Sequence, residues 1–139
     1  MVIARKFNKL ALADDSGLEV AYLNGKPGIR SSRFVGSPVT SKKLCTKLLK
    51  KLKGVPVSKR GARFVCVAAV AKPHGKVSVA QGICKGKIVF EMKGNHGFGY
   101  DPVFIPNGFK RTFGELSPAT KNKLSHRGKA IRKIRKIFL

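Results

Sequence analysis

The chain has 139 residues, 42% of them hydrophobic, which fits one compact domain with a real core. Thirty Lys and Arg stand against six Asp and Glu, and the net charge of +24 excludes an acidic solvating protein. It points instead to anionic partners: nucleic acid, phosphorylated metabolites or an acidic membrane surface. Cys45, Cys66 and Cys84 are too few and too widely spread for a disulfide framework or a paired-cysteine zinc site, and they fit reduced thiols in the cytoplasm. The longest apolar run, residues 64–71, is too short to cross a bilayer, which takes about 20 residues. The stretch after Arg5, Lys6 and Lys9 lacks the apolar length of a secretory signal.

In chain order, residues 10–13 predict a short buried strand that stops at Asp14-Asp15-Ser16-Gly17, followed by a second short strand over 18–23. Asn24-Gly25-Lys26-Pro27-Gly28 is a loop, and residues 31–37 stay irregular. Residues 40–53 predict a helix with Leu44, Leu48, Leu49 and Leu52 on one face, lysines on the rest and Gly54 as its stop. The apolar run over 62–71 predicts a well-buried strand, with residues 77–84 returning as its hairpin partner after a turn at 72–76. Residues 87–91 predict a further strand, 94–99 a glycine-rich loop, and 103–105 a short apolar segment between prolines. Ser117-Pro118 starts a helix with a cap residue and a proline in the first position. Residues 129–138 form a basic amphipathic helix, with Ile131, Ile134, Ile137 and Phe138 as the apolar stripe that docks on the sheet.

Three clusters can carry chemistry. Asp14 and Asp15 are adjacent in a chain poor in acids, and paired carboxylates carry a repulsive cost that a divalent cation offsets. An ordinary turn in which one of them caps a backbone N–H fits the spacing equally. Gly97-Phe98-Gly99-Tyr100-Asp101-Pro102 offers backbone that a ligand can approach, a ring on which a base can stack and a carboxylate that can accept a base N–H; a turn with core aromatics is the plain alternative. Ser125-His126-Arg127-Gly128, with Lys121 upstream, supplies donors suited to a purine with a 6-keto oxygen, or simply a helix junction in a basic protein. His74 and His96 are expected in loops without a role. There is no Walker-type phosphate loop, no H-E-x-x-H and no dinucleotide fingerprint.

These clusters occur in one order with Ser32-Arg33-Phe34, Ala62-Arg63-Phe64-Val65-Cys66-Val67 and Thr112-Phe113-Gly114-Glu115-Leu116. Together they resemble the non-canonical purine nucleoside triphosphate pyrophosphatases, the inosine/xanthosine triphosphate pyrophosphatase family, from about residue 10 to the C-terminus. The resemblance implies an α/β fold: an elongated mixed β-sheet with flanking helices and a central cleft, usually in a homodimer. It implies hydrolysis of ITP, dITP and XTP to the monophosphate and pyrophosphate with Mg²⁺. Carried over by motif, Asp15 is the general base and a metal carboxylate, and Asp14 is its neighbour at the metal. Ser16 is a substrate contact, and Phe98, Gly99, Tyr100 and Asp101 hold the base. Lys121, His126 and Arg127 add further nucleotide contacts. Family members open with a strand and a [ST]-x-N-x-x-K phosphate loop that does not precede Leu10 here. The expectation is therefore one domain over residues 1–139, the C-terminal portion of that fold without its first strands. The rival expectation from the charge is a catalytically inactive, basic nucleic-acid-binding protein; a membrane partner is not expected.

Overall fold

The computed structural model describes residues 2–138. Five strands form one sheet in the order β2-β1-β3-β4-β5. They are β1 (Ala11–Val20), β2 (Pro27–Gly28), β3 (Gly61–Ala71), β4 (Val77–Ile88) and β5 (Phe104–Pro106). The helices are α1 (Val2–Phe7), α2 (Ser41–Lys51), α3 (Pro118–Leu124) and α4 (His126–Phe138). The α/β class with flanking helices agrees with the sequence reading. The sheet differs from the expected mixed one in that every pairing among the described residues is antiparallel. The reason is local: β3 and β4 join through a tight turn at 72–76, and such a turn can only reverse the chain.

Alternation along β1, β3 and β4 sends Leu18, Val20, Phe64, Cys66, Ala68, Ala80, Cys84 and Ile88 to one face, where all are buried. The leucine stripe of α2 packs there, with Leu44, Leu48 and Leu52 against Leu18, Phe64, Phe104 and Phe113. Thr40 caps α2, its hydroxyl accepting from the Lys43 N–H, and Gly54 ends the segment at φ 77°. The helix α4 covers the other half through Ala130 and Ile134, which meet Cys66, Ala68, Val70 and Ala80. Its close approach depends on Gly82, where a Cβ would lie 2.0 Å from the His126 carbonyl oxygen. The opposite sheet face leaves Val67 and Val79 exposed.

Several predicted elements are redrawn. β1 does not stop at Asp14; it continues through Gly17 to Val20 because β3 pairs with it along its whole length, Ser16 opposite Cys66 and Gly17 opposite Val65. Its first half is not buried, with Leu12 60% exposed. Residues 18–23 are therefore no separate strand, and Ala21–Leu23 turns as a 3-10 helix. The strand expected over 87–91 is the end of β4, which stops at Ile88. α4 starts at His126 rather than 129, and Ala130, not Ile137, lies on its buried stripe; Ile137 is exposed. The Phe138 side chain lies outside the described residues.

Candidate active site

A cleft of about 550 Å³ opens where the middle of β1 meets α3 and the start of α4, a volume typical of small-ligand sites. Asp14 and Asp15 both line it, although alternation along β1 sends their side chains to opposite faces of the sheet. Strand alternation places Asp14 with Ser16 and Leu18 on the helix-covered face. There its Oδ2 accepts from Arg127 Nε at 2.7 Å, across 113 positions of sequence, and lies 3.7 Å from Cys66 Sγ. Asp15 Oδ1 accepts from the Ser16 N–H at 2.9 Å, and its carboxylate forms no ion pair among the described residues.

The facing wall carries Phe98, whose ring is 62% exposed. Two cations flank it: Lys121 Nζ lies 4.7 Å from the ring centroid and Arg127 Cζ 5.5 Å. The loop is braced by Asp101, which is buried. Its Oδ2 accepts from the Phe98 N–H at 2.9 Å and from Lys121 Nζ in a buried ion pair. Burial pushes the Asp101 carboxyl up, and Lys121 and the Phe98 N–H pull it back. Behind the loop, Tyr100 donates to the Ser31 carbonyl at 2.9 Å, and Cys45 Sγ donates to the Gly99 carbonyl at 3.5 Å. Burial raises both acids, Cys45 to about 12, so neither supplies a nucleophile at neutral pH.

His126 closes the floor. It is buried and stacked on Phe64, with centroids 4.7 Å apart and planes 12° from parallel. Burial, then the charges of Arg127 and Lys121, lower its pKa to about 4, so the ring is neutral. Its Nδ1 and the Ser16 hydroxyl are the two buried side-chain polar atoms without a hydrogen-bond partner among the described residues. Both residues line the cleft. Buried polar groups are rarely left unmet, and water or a ligand entering the cleft can partner both atoms.

Of the ten residues singled out from sequence, nine line this one cleft: Asp14, Asp15, Ser16, Phe98, Tyr100, Asp101, Lys121, His126 and Arg127. Gly99 does not; it lies behind the loop with φ 62° and offers its carbonyl to Cys45. Ser31, Ser32, Phe64 and Asn122 also line the cleft and carried no site assignment. Phe64 lies inside an apolar run where nothing marks it apart, and only the long-range stack on His126 reveals its part. His96 sits in the loop as expected, its Nδ1 2.9 Å from the Leu116 carbonyl oxygen.

The cleft is thus lined by two carboxylates that leave β1 towards opposite faces of the sheet, and by an exposed ring between two cations. In donor chemistry, Asp14 and Asp15 suit a cation that takes one or two carboxylates and completes its shell with water and phosphate oxygens. Among the described residues no group of three or more His, Cys, Asp or Glu forms a metal site by itself. The arrangement suits a flat heterocycle at one end and an anion–cation pair at the other.

Comparison with known proteins is consistent with this geometry. A dITP/XTP pyrophosphatase of Desulforamulus reducens is 52% identical over 130 residues, covering 94% of this chain and 65% of the relative. One of Oceanobacillus iheyensis is 45% identical over 134 residues, covering 96% and 68%. The chain thus spans about two thirds of the length of these curated relatives. The solved structure of the Staphylococcus aureus Ham1 protein superposes with a TM-score of 0.90 at 39% identity, covering 99% of this chain and 70% of that one. A HAM1 protein from Coxiella burnetii gives 0.86 at 38% identity, covering 99% and 73%. The profile of the Ham1 family matches residues 2–137, and on the strength of that match and these relatives the chain belongs to the Ham1 family.

Proposed function

We propose that the cleft is the nucleotide site of a nucleoside triphosphate pyrophosphatase that removes non-standard purine nucleotides from the pool. In this reading ITP, dITP and XTP are cleaved to the monophosphate and pyrophosphate. The observation that carries it is the convergence of the paired carboxylates and the Phe98–Lys121–Arg127 wall on one cavity. The names of the relatives support the substrate class.

Within this reading, Phe98 stacks the purine, and Lys121 and Arg127 raise the local positive potential. Arg127 donates to the O6 and N7 acceptors of a 6-keto purine, a pattern that adenine breaks with its N6 amino group. The neutral His126 offers one ring nitrogen to the base without bringing a further charge into the floor. Asp15 accepts the proton of the water that attacks the α-phosphorus; among the described residues its carboxylate forms no ion pair that would occupy it. Asp14 and Asp15 would be the residues to hold Mg²⁺, which would supply charge neutralisation on the transferring group. The same reading makes the protein a cytoplasmic homodimer. Its three buried free thiols suit a reducing compartment, and the uncovered sheet face at Val67 and Val79 suits a self-association surface. No helix among the described residues is long and apolar enough to cross a membrane.

The test is pyrophosphate release from ITP, XTP, GTP and ATP with Mg²⁺. Release that is fastest with ITP or XTP and slowest with ATP supports the assignment. No release from any of them, together with RNA binding that falls steeply with salt, supports the basic nucleic-acid binder instead.

A further inference from the structure

We infer that Asp14 is the positioning residue that aims Arg127 at the base, and so sets purine selectivity. This role is separate from any part it plays at a cation, and it rests on the base-binding reading above. Arg127 sits in the first turn of α4, and Asp14 lies in mid-β1. Their one bond joins Asp14 Oδ2 to the Nε edge of the guanidinium at 2.7 Å. Holding that edge leaves both terminal nitrogens of Arg127 without a protein hydrogen bond among the described residues. Those two nitrogens are the fork that reads O6 and N7 in a bidentate contact. The guanidinium meanwhile stands 5.5 Å from the Phe98 ring, beside the place where a stacked base would lie.

The anchor is itself well held. Asp14 belongs to a strand paired residue by residue with β3, opposite Ala68, and Cys66 Sγ lies near the same Oδ2. α4 is pinned at its start by the Gly128 N–H bond to Ser125 Oγ at 3.0 Å and by the close contact at Gly82. A flexible arginine side chain is thus restrained at its backbone and at Nε, which lowers the entropy lost when its free terminal nitrogens grip a ligand. The structure gives Glu19 a comparable bond to Arg63, but on the other face of the sheet and away from the cleft.

The experiment measures Kd for IMP and AMP by calorimetry in EDTA, so that a cation role of Asp14 does not enter. The proteins are the wild type, Asp14→Ala, Asp14→Asn, Arg127→Lys and, as a control for losing a strand carboxylate, Glu19→Ala. The wild type is expected to prefer IMP by about tenfold or more, the scale of one bidentate contact. Asp14→Ala should lose at least about threefold of that ratio and Arg127→Lys most of it, since lysine has no fork. Asp14→Asn, which keeps an oxygen for Nε, should fall between wild type and Asp14→Ala, and Glu19→Ala should keep the wild-type ratio. Melting temperature, followed in parallel, verifies that each variant is folded. A wild-type ratio in Asp14→Ala alongside a collapsed ratio in Arg127→Lys overturns the positioning role while sparing the base site. Absence of any IMP preference in the wild type overturns the base site itself and the inference with it.

Discussion

The imidazole of His126 lies flat on the ring of Phe64, 4.7 Å between centroids and 12° between planes. Phe64 in turn packs edge-on to Phe104 at 4.7 Å and stacks on Phe113 at 6.1 Å. A polar ring that lines the cleft is thereby fixed by an aromatic cluster of the core, which also keeps it uncharged.

That burial predicts how stability responds to pH. The folded-state pKa of His126 is lowered to about 4, below the ordinary 6.5, so between these values the unfolded chain binds more protons than the folded one. His126 therefore destabilises the fold as pH falls from 6.5 towards 4, by up to about 3 kcal/mol, and contributes no such penalty above 6.5. Urea unfolding across this range should show the slope, and His126→Asn should flatten it. An unchanged slope in that variant assigns the effect to other groups.

The ion pair between Lys121 and Asp101 is largely out of water, with side chains 15% and 4% exposed. Removing one partner leaves an uncompensated buried charge, at a cost of about 3–5 kcal/mol. Lys121→Met should lower stability on that scale, whereas Lys121→Met combined with Asp101→Leu should recover much of it. A single variant as stable as wild type, measured by denaturant unfolding, would show that the pair is freely hydrated.

Arg60 is buried and has no carboxylate partner among the described residues. Its guanidinium donates to the carbonyls of Val55, Val89 and Leu52 at 2.9, 2.8 and 2.7 Å and stacks on Phe90 at 4.1 Å. It ties the end of α2 to the exit of β4. Lysine cannot make that fork, so Arg60→Lys should cost about 2 kcal/mol or more, from lost charge-assisted bonds and unmet carbonyls. Thermal unfolding of this variant at wild-type midpoint would contradict the clamp.

Much of this architecture was legible from the residues. The leucine spacing of α2, the Ser117-Pro118 start of α3 and the apolar run of β3 are local signals, and local physics decides them. The course of β1 was not, because acids and glycine disfavour a strand and only pairing with β3 overrides that preference. At Gly17 a Cβ would lie 2.4 Å from the Gly28 carbonyl oxygen, so the glycine that reads as a turn signal serves the close approach of β2. The site residues were nameable as three clusters, yet their partners were not. Asp14 with Arg127, Asp101 with Lys121 and Phe64 with His126 are contacts across 20 or more positions, set by the sheet register and the seat of α4.

For the enzymatic reading, Asp15→Asn should abolish pyrophosphate release from ITP and leave the melting temperature within about a degree or two of wild type, since an exposed carboxylate without an ion pair contributes little to stability. Release at the wild-type rate would remove Asp15 from the role of base. Arg127→Ala should narrow the preference for ITP over ATP, and an unaltered ratio would refute its part in base choice.

In the proposed site, one cleft receives a 6-keto purine on Phe98 with its phosphate end towards Asp14 and Asp15. The decisive measurement is a crystal structure of the protein with IMP and Mg²⁺, the cation offsetting the repulsion between phosphate and carboxylates. The purine ring should lie against Phe98, with O6 and N7 within hydrogen-bond reach of Arg127 and the phosphate towards Asp14 and Asp15. IMP bound outside the cleft, or inside it with its base away from Phe98 and Arg127, would rule out this binding mode.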